Sequence, residues 1–424
     1  MKILIKNGLV LDMINEPETK DILIENDKIT KVEVNINEEV DKQIDASGKA
    51  VIPGLINCHN HAGMNIFRGY SDDLELHDWL EKAIWPVEDN LTAEEMHFSN
   101  LLACIEMIKS GTTTFNDMYF FTEEIIEIVK KTGMRCMCAK PIVLDGEEAQ
   151  KRLEGAEELY LKYNGYADGR VKVNIAFHAP YTCPPDTVKK VVALSEKHNT
   201  ILHVHLSETE KENIDIQNQY GMSPTEYLND NGTFTRPCIL AHCVHLSDSD
   251  LEIIKNAKAG IAYNPISNCK LASGIADTVK YRKAGVPVGI GTDGAGSTNT
   301  LDMFEEMKVG SYLQKQLHKK ASVINAKTML EMATIEGAKA LGMDEEIGSI
   351  EVGKKADIIL VDLSAPHMQP VNDIYSNIVY SANGHDVSTS IVNGKIIMED
   401  RRLIGIDKEN VIDRCGEIAK KYFK

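Results

Sequence analysis

Residues 50–61 read AVIPGLINCHNH, a largely apolar run that ends in two histidines spaced two residues apart. The run from Ala50 to Cys58 is typical of a strand buried on both faces of a parallel sheet. Alternate residues of a strand share a face, so the imidazoles of His59 and His61 can reach one metal ion. Taken alone, the pair is equally compatible with two partly exposed histidines at a strand end.

Strand-like apolar runs alternate with helical patterns outward from this stretch. The predicted strands are Ala50–Cys58, Thr112–Phe115, Arg135–Val143, Val171–Phe177, Ile201–Leu206, Cys238–His242, Gly260–Tyr263 and Val288–Gly291. The predicted helices include Ala93–Lys109, Glu123–Lys131, Ala149–Tyr163, Asp186–Lys197 and Asp248–Asn256. Repeated βα units imply a parallel sheet, and eight of them fit an α/β fold of the (β/α)8 TIM-barrel type. A doubly wound open sheet is the alternative.

The composition restricts the partners and the compartment. The net charge of −18 argues against nucleic acid and anionic membranes, which attract clustered lysine and arginine. No apolar run reaches the roughly 18 residues of a membrane span, and the N-terminus does not resemble a signal peptide. The nine cysteines are scattered and odd in number, so we expect no disulfide framework and a cytoplasmic location.

Histidines and acids collect where a barrel places its chemistry, at the C-terminal ends of strands. Six of the 13 histidines lie at or near the ends of predicted strands: His59, His61, His178, His203, His205 and His242. Asp293 follows the last strand, and Glu208 lies three residues after His205. Three imidazoles and one carboxylate suit zinc or ferrous iron and leave a position for water.

The remaining polar groups suit hydrolysis or deamination. A bound metal brings the pKa of water close to neutrality, and the reaction then needs a base and an acid. We assign Asp293 as metal ligand and base, Glu208 as proton donor, and His242 as an inward-pointing polar group. A turn or capping role for Asp293 and a solvated position for Glu208 are the simpler structural alternatives.

Two motifs resemble those of the amidohydrolase superfamily, and the resemblance extends over essentially the whole chain. They are Ile52-Pro53-Gly54-Leu55-Ile56-Asn57-Cys58-His59-Asn60-His61 and Gly353-Lys354-Lys355-Ala356-Asp357-Ile358. The resemblance implies a catalytic barrel over 51–346 and a small β-sandwich domain built from both chain ends, 1–50 and 347–424. Short alternating runs with turn signals, such as Asn7-Gly8 and Asn393-Gly394, occur at both ends and agree with this division.

Further segments narrow the resemblance to the methylthioadenosine/S-adenosylhomocysteine deaminase family. They are Trp85-Pro86-Val87-Glu88-Asp89, Phe177-His178-Ala179-Pro180-Tyr181-Thr182-Cys183, His203-Val204-His205-Leu206-Ser207-Glu208-Thr209, Ala241-His242-Cys243-Val244-His245-Leu246 and Asn264-Pro265-Ile266-Ser267-Asn268. This resemblance implies hydrolytic deamination of the adenine ring of 5′-modified adenosines: 5′-deoxyadenosine, methylthioadenosine, S-adenosylhomocysteine and adenosine. It also implies a nucleoside substrate and a homo-oligomer.

The same resemblance implies a role for each site residue. Metal ligation is expected from His59, His61, His205 and Asp293. Substrate contacts are expected from Glu88, at the ribose hydroxyls, and from His178. Glu208 would protonate purine N1 and pass a proton to the departing amino group, and His242 would orient the hydroxide. No bridging lysine occurs near strand four, so we expect one divalent metal, zinc or alternatively iron.

Two cationic residues, Lys140 and Arg152, bear on whether the chain recognises S-adenosylhomocysteine. Relatives that act well on S-adenosylhomocysteine carry an arginine near the end of strand three, where this chain has Lys140. A second family arginine corresponds to Arg152. Lysine cannot make the bidentate carboxylate contact of arginine, so recognition of an amino-acid tail is open, and both residues are alternatively ordinary surface cations.

Two other functions are weighed against this one. A related deaminase or hydrolase of another ring, such as guanine or an s-triazine, would share the metal residues but not the ribose-directed Glu88 and His178. A non-catalytic scaffold would lose metal ligands, and this chain keeps each of the expected ones.

Overall fold

Two kinds of sheet make up the protein in the computed structural model, which describes residues 1–423. One is a largely antiparallel sheet formed by both chain ends, and the other is a ring of parallel strands from the middle of the chain. Among the described residues, no helix combines the length and the apolar character needed to cross a bilayer.

The strands and helices follow the predicted alternation. The strands are β1 (Lys2–Val10), β2 (Glu18–Glu25), β3 (Lys28–Glu33), β4 (Lys42–Asp45), β5 (Lys49–Pro53), β6 (Leu55–Asn60), β7 (Thr112–Met118), β8 (Arg135–Ala139), β9 (Pro141–Ile142), β10 (Val171–Val173), β11 (Ile175–Phe177), β12 (Leu202–Leu206), β13 (Cys238–His242), β14 (Ala259–Tyr263), β15 (Val288–Ile290), β16 (Ile358–Asp362), β17 (Val387–Val392), β18 (Lys395–Glu399) and β19 (Arg402–Leu403). The α-helices are α1 (Leu76–Trp79), α2 (Trp85–Glu88), α3 (Ala93–Lys109), α4 (Thr122–Thr132), α5 (Gly146–Tyr163), α6 (Tyr166–Gly169), α7 (Pro185–His198), α8 (Glu210–Tyr220), α9 (Pro224–Asp230), α10 (Asp248–Asn256), α11 (Pro265–Lys270), α12 (Thr278–Lys283), α13 (Ala295–Thr298), α14 (Met303–His318), α15 (Ala326–Met332), α16 (Ile335–Ala340), α17 (Ile374–Ser376) and α18 (Lys408–Tyr422).

The parallel strands close into a barrel. Pairing runs β6–β7–β8–β10 on one side and β9–β11–β12–β13–β14–β15 on the other. The third barrel strand is β8 and β9, interrupted at Lys140, and the fourth is β10 and β11, interrupted at Asn174. The ring closes where the backbone N–H of Asp293, after β15, donates to the carbonyl of His59 in β6 at 3.0 Å. The predicted α/β barrel is therefore confirmed, with a strand at each predicted position.

The predicted strand Ala50–Cys58 is divided in two at Gly54. β5 pairs with β1 and β16 of the end sheet, whereas β6 pairs with β7 of the barrel. A Cβ at Gly54 would lie 2.1 Å from the Thr113 side chain, so the backbone passes through a space that only glycine fits. The sequence pattern missed this change because the residues on both sides of Gly54 are buried.

Both chain ends join in one sheet. Its strand order is β19-β18-β17-β16-β5-β1-β2-β3, with β4 paired to β1. Strands β5 and β16 run antiparallel from Pro53↔Ile358 to Lys49↔Asp362, so residues from the two ends are direct neighbours. The two-layer sandwich and its domain limits stay predictions.

The C-terminal helix α18 packs on the barrel helix α3. Val411, Cys415 and Ile418 are buried at helical spacing. The Cys415 thiol lies 3.4 Å from the carbonyl of Phe98 in α3, and Arg414 pairs with Glu94 at 2.8 Å. The apolar face of α18 therefore decides its position.

A buried ion pair joins the barrel to the end sheet, and breaking it should be costly. Arg135 at the start of β8 donates to Asp357 at 2.8 and 3.2 Å, and the guanidinium is 1% exposed. We expect Asp357→Ala to lower the free energy of unfolding by about 3–5 kcal/mol, because it strands a buried guanidinium. Urea unfolding measures this loss.

The matched control for that variant is the exposed pair between Arg414 and Glu94. Glu94→Ala should change the free energy of unfolding by no more than about 1 kcal/mol, as is usual for surface pairs. Equal losses in the two variants would contradict the importance of the buried pair.

Candidate metal centre and substrate cavities

The predicted metal ligands come together at the C-terminal ends of the barrel strands. His59 lies in β6, His61 directly after it, His205 in β12, and Asp293 after β15. Asp293 Oδ1 lies 3.4 Å from His59 Nε2 and 3.2 Å from His61 Nε2, and His61 Nε2 lies 3.3 Å from His205 Nε2. Four tetrahedral ligands at about 2.0–2.2 Å from one ion are separated by about 3.3–3.6 Å, so these distances fit one shared ion.

Hydrogen bonds at the far side of each imidazole fix which nitrogen faces the cluster. His61 Nδ1–H donates to the carbonyl of Met118, and His205 Nδ1–H donates to the carbonyl of His178 at 2.7 Å. Because a carbonyl only accepts, the Nε2 lone pairs of the neutral rings point at the shared centre. His59 Nε2 is buried without a hydrogen-bond partner among the described residues, as an unfilled ligand position would be.

Asp293 is held in a fixed orientation as an ionised carboxylate. Its Oδ2 accepts hydrogen bonds from Ser267 Oγ at 2.6 Å and Ser297 Oγ at 2.9 Å, which leaves Oδ1 toward the histidines. Burial opposes ionisation, but the close approach of His59, His61 and His242 outweighs it and holds the pKa of Asp293 well below its ordinary value. This carboxylate is therefore available as a ligand or a base at neutral pH.

Glu208 and His242 form a second pair beside the cluster. Glu208 Oε2 lies 3.6 Å from His242 Nε2, and Glu208 Oε1 has no hydrogen-bond partner within residues 1–423. Burial, with Asp293 as a further cause, raises the pKa of Glu208 well above its ordinary value. Burial lowers the pKa of His242 to about 3. A carboxyl with a raised pKa therefore faces an imidazole with a lowered pKa, an arrangement suited to general acid catalysis.

The amides of the loop after β14 orient His242. Asn268 Nδ2 lies 2.9 Å from His242 Nδ1, and Asn264 Nδ2 lies 3.3 Å from the same atom. These amides are 22 and 26 positions from His242 in the sequence, so the contact is a result of the tertiary structure.

A small cavity of about 50 Å³ opens directly on the cluster. It is lined by His61, Met64, Leu76, Trp79, Leu80, His178, Tyr181, His205, Glu208, His242, Leu271, Asp293 and Ser297. His178 is held there by Thr182 Oγ1, 3.1 Å from its Nδ1, and burial lowers the pKa of His178 to about 4. His178, predicted as a substrate contact, therefore lines the cavity at the cluster as a neutral imidazole.

The other predicted substrate residues line a separate cavity of about 370 Å³. Glu88, Lys140 and Arg152 share it with aromatic and acidic neighbours. Tyr119 O–H donates to the carboxyl of Glu88, and burial raises the pKa of that carboxyl. The Tyr119 ring centroid lies 6.0 Å from that of His61, so this cavity adjoins the metal-type cluster.

Arg152 lines that cavity, but its nearest charged partner lies in its own helix. Its Nε pairs with Glu148 at 3.2 Å along α5, and its guanidinium lies 5.7 Å from the centroid of Phe120. The structure thus places Lys140 and Arg152 beside Glu88 without showing a carboxylate-binding fork.

Sequence reasoning missed three residues of this region. Tyr119 follows the end of β7, a position whose signal is the strand end itself. Ser297 contacts Asp293 from α13, a short helix without a clear sequence pattern. Glu212 lies four residues after Glu208 and was detectable through the Thr209-x-x-Glu212 spacing of a helix start.

The fold and the site together define a class, a (β/α)8-barrel hydrolase with a metal-type centre at its strand ends. The chain belongs to the amidohydrolase family, whose sequence model matches residues 50–397. A relative from Thermoanaerobacter pseudethanolicus, named 5-methylthioadenosine/S-adenosylhomocysteine deaminase, is 46% identical and covers 99% of both chains. A relative from Methanosarcina mazei, named 5′-deoxyadenosine deaminase, is 43% identical and covers 99% of this chain and 98% of its own.

A solved structure extends the comparison to the fold. It is described as an adenosine deaminase from Xanthomonas campestris with bound zinc, and it superposes with a TM-score of 0.95. The two sequences are 31% identical, and the match covers 99% of this chain and 98% of that chain. The family resemblance inferred from the motifs is confirmed.

Proposed function

We propose that this protein hydrolytically deaminates the adenine ring of 5′-modified adenosines: 5′-deoxyadenosine, methylthioadenosine, S-adenosylhomocysteine and adenosine. The observation that carries the proposal is the buried Glu208 carboxyl beside the cluster of His59, His61, His205 and Asp293, with Glu88 in the adjoining cavity. The full-length relatives named as deaminases of these nucleosides support it. The products are the corresponding inosines and ammonia.

One divalent metal ion, zinc or alternatively ferrous iron, fits the four ligands. When bound, such an ion acts as a Lewis acid and lowers the pKa of water. The ligand spacing and the lone pairs fixed by Met118 and His178 support this assignment.

The acid–base work falls to three residues. Hydrolysis adds water at C6 of the adenine ring and breaks the bond from C6 to the exocyclic nitrogen. Asp293, ionised and oriented by two serine hydroxyls, takes a proton from the attacking water. Glu208 gives its proton to N1, then takes the proton of the new hydroxyl group at C6 and passes it to the departing amino group, which leaves as ammonia. The proton held by Asp293 then restores the Glu208 carboxyl. His242, neutral and held by asparagine amides, orients the water.

Binding of the nucleoside falls to the residues around the two cavities. The carboxylate of Glu88 accepts hydrogen bonds from the ribose hydroxyls, and His178 contacts the substrate next to the cluster. Lys140 and Arg152 line the cavity of Glu88, where a 5′ substituent would extend. A lysine charge recognises a carboxylate less specifically than arginine does, and small 5′ groups such as methyl do not need that contact.

The experiment that tests the function is a parallel assay of adenine absorbance loss. The panel contains 5′-deoxyadenosine, S-adenosylhomocysteine, methylthioadenosine, adenosine, adenine and guanine, with metal content measured on the same protein. Conversion of ribosides to inosine products supports the proposal, and their ranking tests the role of Lys140. Activity on guanine alone, or on an s-triazine tested beside this panel, would contradict the proposal and indicate a deaminase or hydrolase of another ring.

Glu88→Gln should raise KM for ribosides by about 10–100-fold and change kcat little, because a hydrogen bond to a charged group is lost in binding. Steady-state kinetics on adenosine measures this effect. Glu81→Gln is the matched control, since Glu81 is exposed in the same segment. An unchanged KM in Glu88→Gln would contradict the ribose contact.

A further inference from the structure

Glu212 is a buried carboxylate to which the proposed reaction gives no role. It lies in the first turn of α8 and is 1% exposed. One carboxylate oxygen accepts the backbone N–H of Ser207 at 3.0 Å, and the other accepts the N–H of Glu208 at 2.9 Å. Each oxygen thus holds one residue of the turn that carries the proposed proton donor.

This contact differs from an ordinary helix cap. At α9, Glu226 follows the capping-box pattern, because its carboxylate accepts the N–H of the N-cap residue Ser223 at 2.8 Å. At α8, the N-cap Thr209 accepts the N–H of Glu212 at 3.1 Å, as such a box requires. The carboxylate of Glu212, however, extends past the N-cap to the two preceding residues. Its position serves the turn before the helix.

That turn has a backbone that needs support. Ser207 has a φ of +49°, in the left-handed region that non-glycine residues seldom adopt. The turn redirects the chain from β12 so that the Glu208 carboxyl faces His242, with 3.6 Å between Oε2 and Nε2. Fixing the two N–H groups of the turn fixes the direction in which the Glu208 side chain leaves the backbone.

We propose that Glu212 is a positioning residue for Glu208, one that clamps the 207–208 turn and keeps the Glu208 carboxyl aimed at the reaction centre. The inference rests on the proposed role of Glu208 as proton donor. It assigns Glu212 no contact with the substrate or the metal.

The charge of Glu212 supports the same role. Burial raises its pKa to about 7, although the backbone N–H groups favour the ionised form. Above that pH Glu212 is a buried anion near Glu208, and it is one of the causes that raise the pKa of Glu208. The ionised Glu212 therefore helps Glu208 to retain its proton as the pH rises.

The test is the kinetic pH profile of Glu212→Gln on adenosine with the metal-loaded enzyme. The side-chain oxygen of glutamine can accept only one of the two backbone N–H groups that Glu212 accepts. The NH2 group of glutamine is itself a donor, so it cannot accept the other N–H and repels it. We expect kcat to fall by about 10–100-fold with KM within about two-fold, the pattern of a misplaced catalytic group. The alkaline limb of kcat should move to lower pH, because Glu208 loses its proton more easily without the neighbouring anion.

Two further variants separate positioning from stability. Glu212→Asp keeps the charge but is one methylene shorter, so kcat should fall while the alkaline limb stays in place. Glu226→Gln removes a carboxylate that caps a helix away from the cluster, and it should leave kcat and the pH profile unchanged. Lower thermal stability in Glu212→Gln and Glu212→Asp, with wild-type kcat and pH profile in the folded protein, would overturn the inference.

Glu208→Gln distinguishes failure of the inference from failure of the proposed function. An active Glu208→Gln enzyme would contradict the proton-donor role and remove the basis of the inference. An inactive Glu208→Gln enzyme beside an unaltered Glu212→Gln enzyme would overturn the positioning role alone.

Discussion

Glu208→Gln should lower kcat by about 10³-fold, within the range that a positioned general acid supplies. The amide has nearly the same shape as the carboxyl, so the buried site can keep its packing, but it cannot donate and recover a proton. Burial raises the pKa of the Glu208 carboxyl well above its ordinary value, which favours the protonated form, and it lowers the pKa of the neighbouring His242 to about 3. No other described residue pairs a raised carboxyl pKa with a position in the small cavity at the cluster.

The measurement is single-turnover and steady-state kinetics on adenosine, with the metal-to-protein ratio determined for each preparation. Glu210→Gln is the matched control, because Glu210 is exposed two residues further along. It should retain wild-type kcat. An active Glu208→Gln protein with a normal metal content would assign the proton transfer to another group.

Asp293→Ala should abolish metal binding and lower turnover by more than about 10³-fold, since the Lewis acid contributes several kcal/mol to such reactions. Asp293 Oδ1 lies next to the Nε2 atoms of both His59 and His61, so its loss leaves the centre without its anionic ligand. His59→Ala should have the same effect.

The fold should survive in both variants. The strands β6, β12 and β13 are paired with their barrel neighbours by backbone hydrogen bonds. In Asp293→Ala, Ser267 and Ser297 keep the hydrogen bond between their hydroxyls, which are 2.9 Å apart. Metal analysis and circular dichroism measure the two properties separately.

The control for the histidine variant is His97→Ala. His97 is half-buried on α3 and pairs with Glu124 at 3.1 Å, away from the cluster. It should keep both metal and activity. If Asp293→Ala or His59→Ala unfolds, the ion has a structural role instead, because the loss of a structural ion lowers the free energy of unfolding.

Local patterns in the sequence were sufficient for the barrel and for most of the candidate site. Apolar runs of strand length, helical periodicity and turn signals are local properties, so each predicted barrel strand could be read without tertiary information. The predicted metal ligands were detectable because a barrel brings the C-terminal ends of its strands, and the residues there, together at one end. His59, His61, His205 and Asp293 satisfy that rule directly.

Residues whose role depends on a distant partner escaped the same reasoning. Tyr119 contacts Glu88 across 31 positions of sequence, and Ser297 contacts Asp293 from a helix that has no strong pattern. The position of α18 on α3 likewise depends on a contact across 317 positions, between Cys415 and Phe98. The sequence pattern around such a residue does not predict which distant side chain or surface it contacts in the fold.

The sequence by itself determined the alternation of strands and helices, the family, and which residues stand at the strand ends, because these are properties of spacing along one chain. Only the tertiary structure decided that β5 belongs to the end sheet and that Glu212 clamps the turn of Glu208. It also decided that the pKa of Glu208 is raised and the pKa of Asp293 is lowered. Charge states, tautomers and clamps depend on burial and on groups brought within a few ångströms by folding, and these neighbours are distant in sequence.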